Sequence, residues 1–513
     1  MRNNIEITGA IRLKLLILLV LIFVSYSPIG YSNGWEHTSI DFEVLVKALN
    51  DANPGVRRRA AESMGFRAQS GATAALLARL DKNEPVERVR QQIYGALGRL
   101  GDTSAVPAIR SCLGNESSAA LRSQCAAALG NIDSKAAQRL ALRGVEDDNL
   151  QVRLNAIASL GSFSGEETVE ALIELVNNDN DSIKNAAMLS LGRTRAGAAG
   201  GVLVDALEAS THRSRSILIL QALTLLADPD TAEAIRLLYR QSDDESVKQY
   251  ALVAMASTRA RDSESYFLEA LSSGDHASRV LGLAALRNLG SAGGVAIIAR
   301  HALSDSGELF SRDSEQLLDE PASTIASLSL LNEYLKTIIR LDPVKGERLY
   351  LQATTPVTIP RSSSAALKIA EGFYTARWQS IYGLGYANTA TAAERVALAM
   401  KDPDMRIRAV ATRSMGVLGN REYLDLIEER LRDEAAEVRW TAARVLGRMK
   451  AMDSSDALMQ SLDDDNTQVR LESVIALGYL NARLAKAELA RLAASDPDLK
   501  VREAADYAAS LIE

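Results

Sequence analysis

Residues 437–447 read "EVRWTAARVLG", residues 468–478 read "QVRLESVIALG", and residues 406–416 read "RIRAVATRSMG". The interval between neighbours is 31 residues. Aligned on V-R-x-x-A-x-x-x-L-G, copies begin at Val56, Val89, Leu121, Val152, Ile183 and Val247, and again at Ala376, Ile407, Val438, Val469 and Val501. Weaker copies lie around 217–227 and 281–290. A fixed period of 31 to 33 residues within each uninterrupted series marks a stacked-repeat architecture.

Each position in the motif has a physical role. Val438, Ala442 and Leu446 are four residues apart and fall on one helix face. Asn53, Asn149, Asn180, Asp244, Asp404, Asn466 and Asp498 stand three residues before the motif start, where a helix takes its N-cap. The closing glycine (Gly65, Gly98, Gly130, Gly161, Gly192, Gly385, Gly416, Gly447, Gly478) is expected to be a left-handed C-cap. Between motifs run second amphipathic segments such as "TVEALIELV" (168–176) and "EYLDLIEERL" (422–431). Each unit is thus a helical hairpin, and one hairpin cannot bury its apolar face alone. The expected fold is an all-α solenoid, a right-handed superhelix of about 13 stacked hairpins.

The unit resembles the short HEAT-like repeat named after the phycobilisome lyases. The resemblance covers about residues 42 to 300 and 363 to 513. It rests on an Asp five residues before the motif start and an Arg directly after it. These are Asp51, Asp147, Asp402, Asp433, Asp464 and Asp496, with Arg57, Arg153, Arg408, Arg439, Arg470 and Arg502. The resemblance implies that the two form ladders between neighbouring repeats, so the arginine series is structural and not an anion site.

Four segments follow: a leader (1–32), an N-terminal repeat block (42–300), diverged repeats or an insertion with a Pro/Thr/Ser loop (301–362), and a C-terminal repeat block (363–513). Within the third, 323–341 is expected to be helical and 352–364 an extended loop. The leader has Arg2, Arg12 and Lys14, an apolar core from Leu15 to Val24, then small and polar residues. That is the order of a secretory signal, with a cut expected after Ser32; an uncleaved N-terminal anchor is the alternative. The protein is therefore expected to be exported to the periplasm or another extracytoplasmic space, on a membrane only if the leader stays. Cys112 and Cys125 are the only cysteines. They are either small buried contacts or, in an exported chain, a disulfide.

With 65 acidic and 58 basic residues, the chain carries −7, a poor balance for gripping phosphate backbones, so nucleic acid is not expected as a partner. No zinc-type spacing of His and Cys occurs, and "GSFSG" (161–165) has Phe163 where a nucleophilic serine would stand. Di-iron relatives of the repeat use His-Glu pairs, whereas His37, His212, His276 and His301 precede Thr38, Arg213, Ala277 and Ala302. No enzyme, metal site or cofactor is expected. The resemblance keeps one alternative open, a lyase-like or enzyme-associated subunit acting on a chromophore- or cofactor-bearing protein.

What remains is surface. Motif positions +2 and +6 point most nearly away from the core, and in HEAT-like arrays that helix lines the concave side. In the N-terminal block these positions are mixed and mostly small. In the C-terminal block they are Trp378/Tyr382, Ala409/Arg413, Trp440/Arg444, Leu471/Ile475 and Glu503/Tyr507. Trp, Tyr and Arg dominate interface hot spots. Trp378, Tyr382, Arg413, Trp440, Arg444, Leu471 and Ile475 are thus the expected binding residues of a protein-interaction scaffold for a protein or peptide partner. The sequence does not fix the oligomeric state.

Overall fold

The computed structural model describes residues 42–360 and 362–512. The leader expected over 1–32 lies outside them. Among the described residues every regular element is a helix. None of these helices is long and apolar enough to cross a membrane. The chain divides into two compact units, which part between Ser263 and Glu264. Each unit is a run of seven helical hairpins, fourteen among the described residues where the motifs suggested about 13.

Where the motif is present it lies on the second helix of the hairpin, and the second helices are numbered along the chain. The first unit has α1 (Pro54–Arg67), α2 (Glu87–Leu100), α3 (Ala119–Ala128), α4 (Leu150–Leu160), α5 (Asp181–Thr194), α6 (Arg213–Leu226) and α7 (Glu245–Thr258). The second has α8 (His276–Leu289), α9 (Pro321–Leu341), α10 (Ser364–Leu384), α11 (Met405–Leu418), α12 (Ala436–Arg448), α13 (Thr467–Leu480) and α14 (Leu499–Leu511). Within each unit, consecutive second helices lie side by side as one layer, and the first helices form the other.

The seven expected N-caps are all in place. Asn53, Asn149, Asn180, Asp244, Asp404, Asn466 and Asp498 each accept a backbone N–H of their helix's first turn. Val438, Ala442 and Leu446 are fully buried between the layers. Burying a Val or Leu side chain contributes about 1.5–3 kcal/mol, and each copy of the motif repeats that gain.

The expected role of the closing glycine is corrected. These glycines are not left-handed caps, because the positive-φ glycines among the described residues are Gly71, Gly101, Gly290 and Gly419. The closing glycine is instead where neighbouring second helices touch. A Cβ on Gly98 would lie 2.7 Å from the Ala128 Cα, and one on Gly447 would lie 2.8 Å from the Ala476 Cα. The left-handed turn comes three residues later, at Ala68, Gly101, Arg195, Asn388, Gly419, Lys450 and Asn481.

The diverged region is built from longer hairpins. A 17-residue helix, Val295–Ser311, precedes α9, and Glu347–Ala353 precedes α10. The helix expected over 323–341 is α9, and the backbone is irregular over 356–360. α9 and α10 have 21 residues each, against 13 or 14 in α11 to α14. Their additional turns pack on one another. Leu328 covers Gly372, and Phe310 meets Phe373 edge-on at 5.9 Å. In the first unit, Cys112 and Cys125 are both buried and form a disulfide joining Val106–Asn115 to α3.

Charged side chains tie the repeats at the turns that enter the second helices. Arg439 forks onto Asp464 of the next repeat, Nε to Oδ2 at 2.7 Å and Nη2 to Oδ1 at 2.9 Å. Its Nη1 donates to the Asp433 and Glu434 carbonyls of its own turn. The pose recurs for Arg408 on Asp433 and Arg470 on Asp496. Each carboxylate also accepts the N–H two residues on, as Asp433 does from Ala435 and Asp464 from Asn466. Arg377 also pairs with Asp402, but through Nη2 alone, its Nε donating to the Thr354 carbonyl. In the first unit Arg122 forks onto Asp147, and Arg57 forks onto Glu84, a carboxylate absent from the Asp series. Arg502 donates to the Asp496 and Pro497 carbonyls, and Asp51 accepts the Asn53 N–H.

Arg153 breaks the series. Its Nη1 holds the usual carbonyls of Asp147 and Asp148, but Asn178 stands where the next acid belongs. The Asn178 Oδ1 accepts the Asn180 N–H at 2.9 Å, the bond an aspartate makes elsewhere. Burial works against the charge on Glu84, yet the bonds from Arg57, the Val86 N–H and Arg79 outweigh it and hold the carboxyl at about 2, below its ordinary 4.5. Burial likewise opposes the charge on Asp433, Asp464 and Asp496, and their arginines hold each below its ordinary value.

Two outcomes follow from this packing. Gly to Ala inside a helix ordinarily stabilises by about 1 kcal/mol. Gly447→Ala should instead destabilise by about 1–3 kcal/mol through overpacking on Ala476, read as a lower denaturant midpoint. Asn178→Asp should stabilise by about 1 kcal/mol at neutral pH by giving Arg153 its carboxylate. A carboxyl with a depressed folded-state pKa stabilises above its unfolded value and loses that contribution as pH falls through the folded one. The gain should therefore fade below about pH 4, seen by comparing thermal midpoints of variant and parent across pH.

Candidate protein-interaction face

The residues expected to bind a partner all lie in the second unit, on the outer side of α10 to α13. The motif period puts them in register, because equivalent positions on neighbouring second helices fall in rows across the layer. The first row is Trp378, Ala409, Trp440 and Leu471, and the second is Tyr382, Arg413, Arg444 and Ile475.

Along α10, Trp378 and Tyr382 stack with parallel rings, centroids 5.9 Å apart. Tyr382 then meets Tyr386 edge-on at 5.5 Å, with their hydroxyls 2.9 Å apart. That hydrogen bond, then burial, raises the Tyr386 pKa, so the phenol stays protonated at neutral pH. Arg413 reaches from α11 to lie 5.4 Å from the Tyr382 ring centre. Trp378 remains 38% exposed beside the parallel Tyr382 ring.

On α12 the Arg444 guanidinium lies 4.8 Å over the Trp440 ring and donates Nε to Glu472 of α13 at 3.0 Å. Gln468 donates to the same carboxylate. Trp440, Tyr382, Leu471 and Ile475 are half-buried, and Arg413 is exposed. Ala409, 7% exposed, is a small floor between the two tryptophan positions. The seven expected binding residues thus share one face. The Arg/Asp ladder lies apart from it, at the turns leading into the same helices.

A third row was not anticipated from the sequence. Tyr386, Val417, Arg448 and Tyr479 follow the closing glycine of successive motifs. Val417 is 46% and Tyr479 69% exposed. The signal was present, since the residue after each glycine is large throughout this block. Tyr507 and Leu511 on α14 extend the apolar rows, there flanked by exposed Glu503 and Asp506. Among the described residues, no group of His, Cys, Asp and Glu is placed to hold a metal ion.

Comparison with known proteins agrees with this architecture. Residues 83–149, 112–192, 140–224 and 424–510 match the HEAT repeat family, in both units. No curated protein matches the chain. Among solved structures, one describing Kap95p binding to RanGDP is similar over 92% of this chain and 76% of that chain, at 11% identity and a TM-score of 0.55. Importin beta aligns over 92% of this chain and 84% of that one, at 10% identity and a TM-score of 0.41. The matched segments are similar to HEAT repeats, and the fold is an all-α solenoid.

Proposed function

We propose that this protein is a non-enzymatic scaffold or adaptor that holds a protein or peptide partner against the outer face of α10 to α13. The observation that carries the reading is the in-register set of Trp378, Tyr382, Tyr386 and Tyr479 beside Arg413 and Arg444. Large aromatic and arginine side chains left accessible in one contiguous area mark interaction sites on soluble proteins. HEAT-type stacks are suited to such work because their surface grows one row per repeat. The Kap95p structure supports the class of activity, since Kap95p there binds RanGDP.

The proposed place of action is the cell envelope, reached by export behind residues 1–32. The signal-like order of that segment supports this, as does the pairing of Cys112 with Cys125, a bond favoured in oxidising compartments.

Crosslinking in intact cells, followed by purification of the protein, tests the reading against the Trp378→Ala/Trp440→Ala variant. The expected result is a protein crosslinked to the wild type and lost from the variant, with unchanged circular dichroism. Capture that survives both substitutions in a folded variant would contradict it.

A further inference from the structure

The chemistry of the face says more about what covers it. In the three rows on α10 to α13, every ionic side chain is an arginine: Arg413, Arg444 and Arg448. Glu472 neutralises Arg444 and is itself only 5% exposed. Arg413 and Arg448 are exposed, and neither has a carboxylate within ion-pair distance among the described residues. A chain of net charge −7 therefore keeps a local cationic strip among its aromatic side chains.

We infer that the occupant is an extended, acidic segment of a partner protein, laid across α10 to α13. The inference rests on the interaction-face reading above and specifies the partner's chemistry. Carboxylates would fork onto Arg413 and Arg448, while flanking apolar side chains sit on Trp378, Tyr382 and Tyr479. The geometry suits an extended chain. Neighbouring helices pack about 8–10 Å apart, close to three residues of a strand rising about 3.3 Å each. The run ends at α14, where exposed Glu503 and Asp506 would repel further acid.

A nucleic acid could also stack on aromatics and pair with arginine. It fits less well, because the turns leading into α11 to α14 carry Asp404, Glu434, Asp465 and Asp498, among the described residues only the first two of them paired with arginines, Arg406 and Arg408. A polyphosphate long enough to span the repeats would meet that acidic edge, whereas a peptide places its few charges only at the arginines.

The test is selection of a phage-displayed random dodecamer library on the full-length protein and on its Arg413→Glu/Arg448→Glu variant. Wild-type selections should enrich Asp and Glu between apolar residues. The best peptide, made with a fluorophore, should bind the variant at least tenfold more weakly by anisotropy. The variant should enrich Lys and Arg instead, which also shows that it is folded. Selections without acidic bias, no enrichment at all, or affinity unchanged by charge reversal would overturn the inference. So would tighter binding of a twenty-nucleotide oligo-dT than of any selected peptide. Loss of the in-cell crosslink on replacing Trp378 and Trp440, beside peptide selections with no acidic bias, would leave the interaction face standing and remove only its acidic specificity.

Discussion

A guanidinium fixed at the start of one helix reaches into the next repeat and grips a carboxylate there. It uses one nitrogen for its own turn and the other two for its neighbour, as Arg408 does with the Asp402 and Pro403 carbonyls and with Asp433. Hydrophobic contact alone is tolerant of sliding, because dispersion and burial are non-directional. A bidentate ion pair is not tolerant, since its planar fork accepts one orientation. The ladder therefore sets the register between hairpins. The closing glycines then let neighbouring helices approach to the separation at which the forks close.

Register is what makes a surface out of separate repeats. Trp378, Arg413, Trp440 and Ile475 belong to four helices, and they share a face because each helix presents the same two motif positions to the same side. The two kinds of arginine illustrate the division. Those directly after the motif start are buried or half-buried and satisfied at the turns. Arg413 and Arg448, further along the helices, are exposed, Arg413 beside the Tyr382 ring. The same residue type thus holds the array together at one depth and lies at the surface at another.

Much of this was legible in the sequence, for identifiable reasons. The 31-residue interval, the N-caps and the buried triad of Val438, Ala442 and Leu446 are local signals, and they appear where expected. The ladder was legible only where the acid is aspartate, so Glu84 went unrecognised although it takes the same bonds. The closing glycine was misread because a glycine near a helix end serves equally as a left-handed cap or as a close-contact residue. Only the neighbouring helix, with Ala476 against Gly447, decides between them. The pairing of Cys112 with Cys125 depends on the approach of two helices, which no sequence pattern states. The region after residue 300 read as diverged repeats or an insertion because its motif is lost. Its apolar period survives on longer helices, and α9 and α10 keep their places in the layer.

The central claim is that the arginine–carboxylate bond couples each repeat to the next. A double-mutant cycle on Arg408 and Asp433, the pair with side chains 7% and 3% exposed, tests it most directly. Each single alanine variant removes the forked partner of a buried charge, leaving Arg408 only Glu434 and Asp433 only the longer contact to Arg430 among the described residues. Each should cost about 3–5 kcal/mol, and the double variant little more than either single, a coupling of several kcal/mol. Strictly additive losses, with coupling below about 0.5 kcal/mol, would show that the two side chains act independently and that something other than the ladder sets the register.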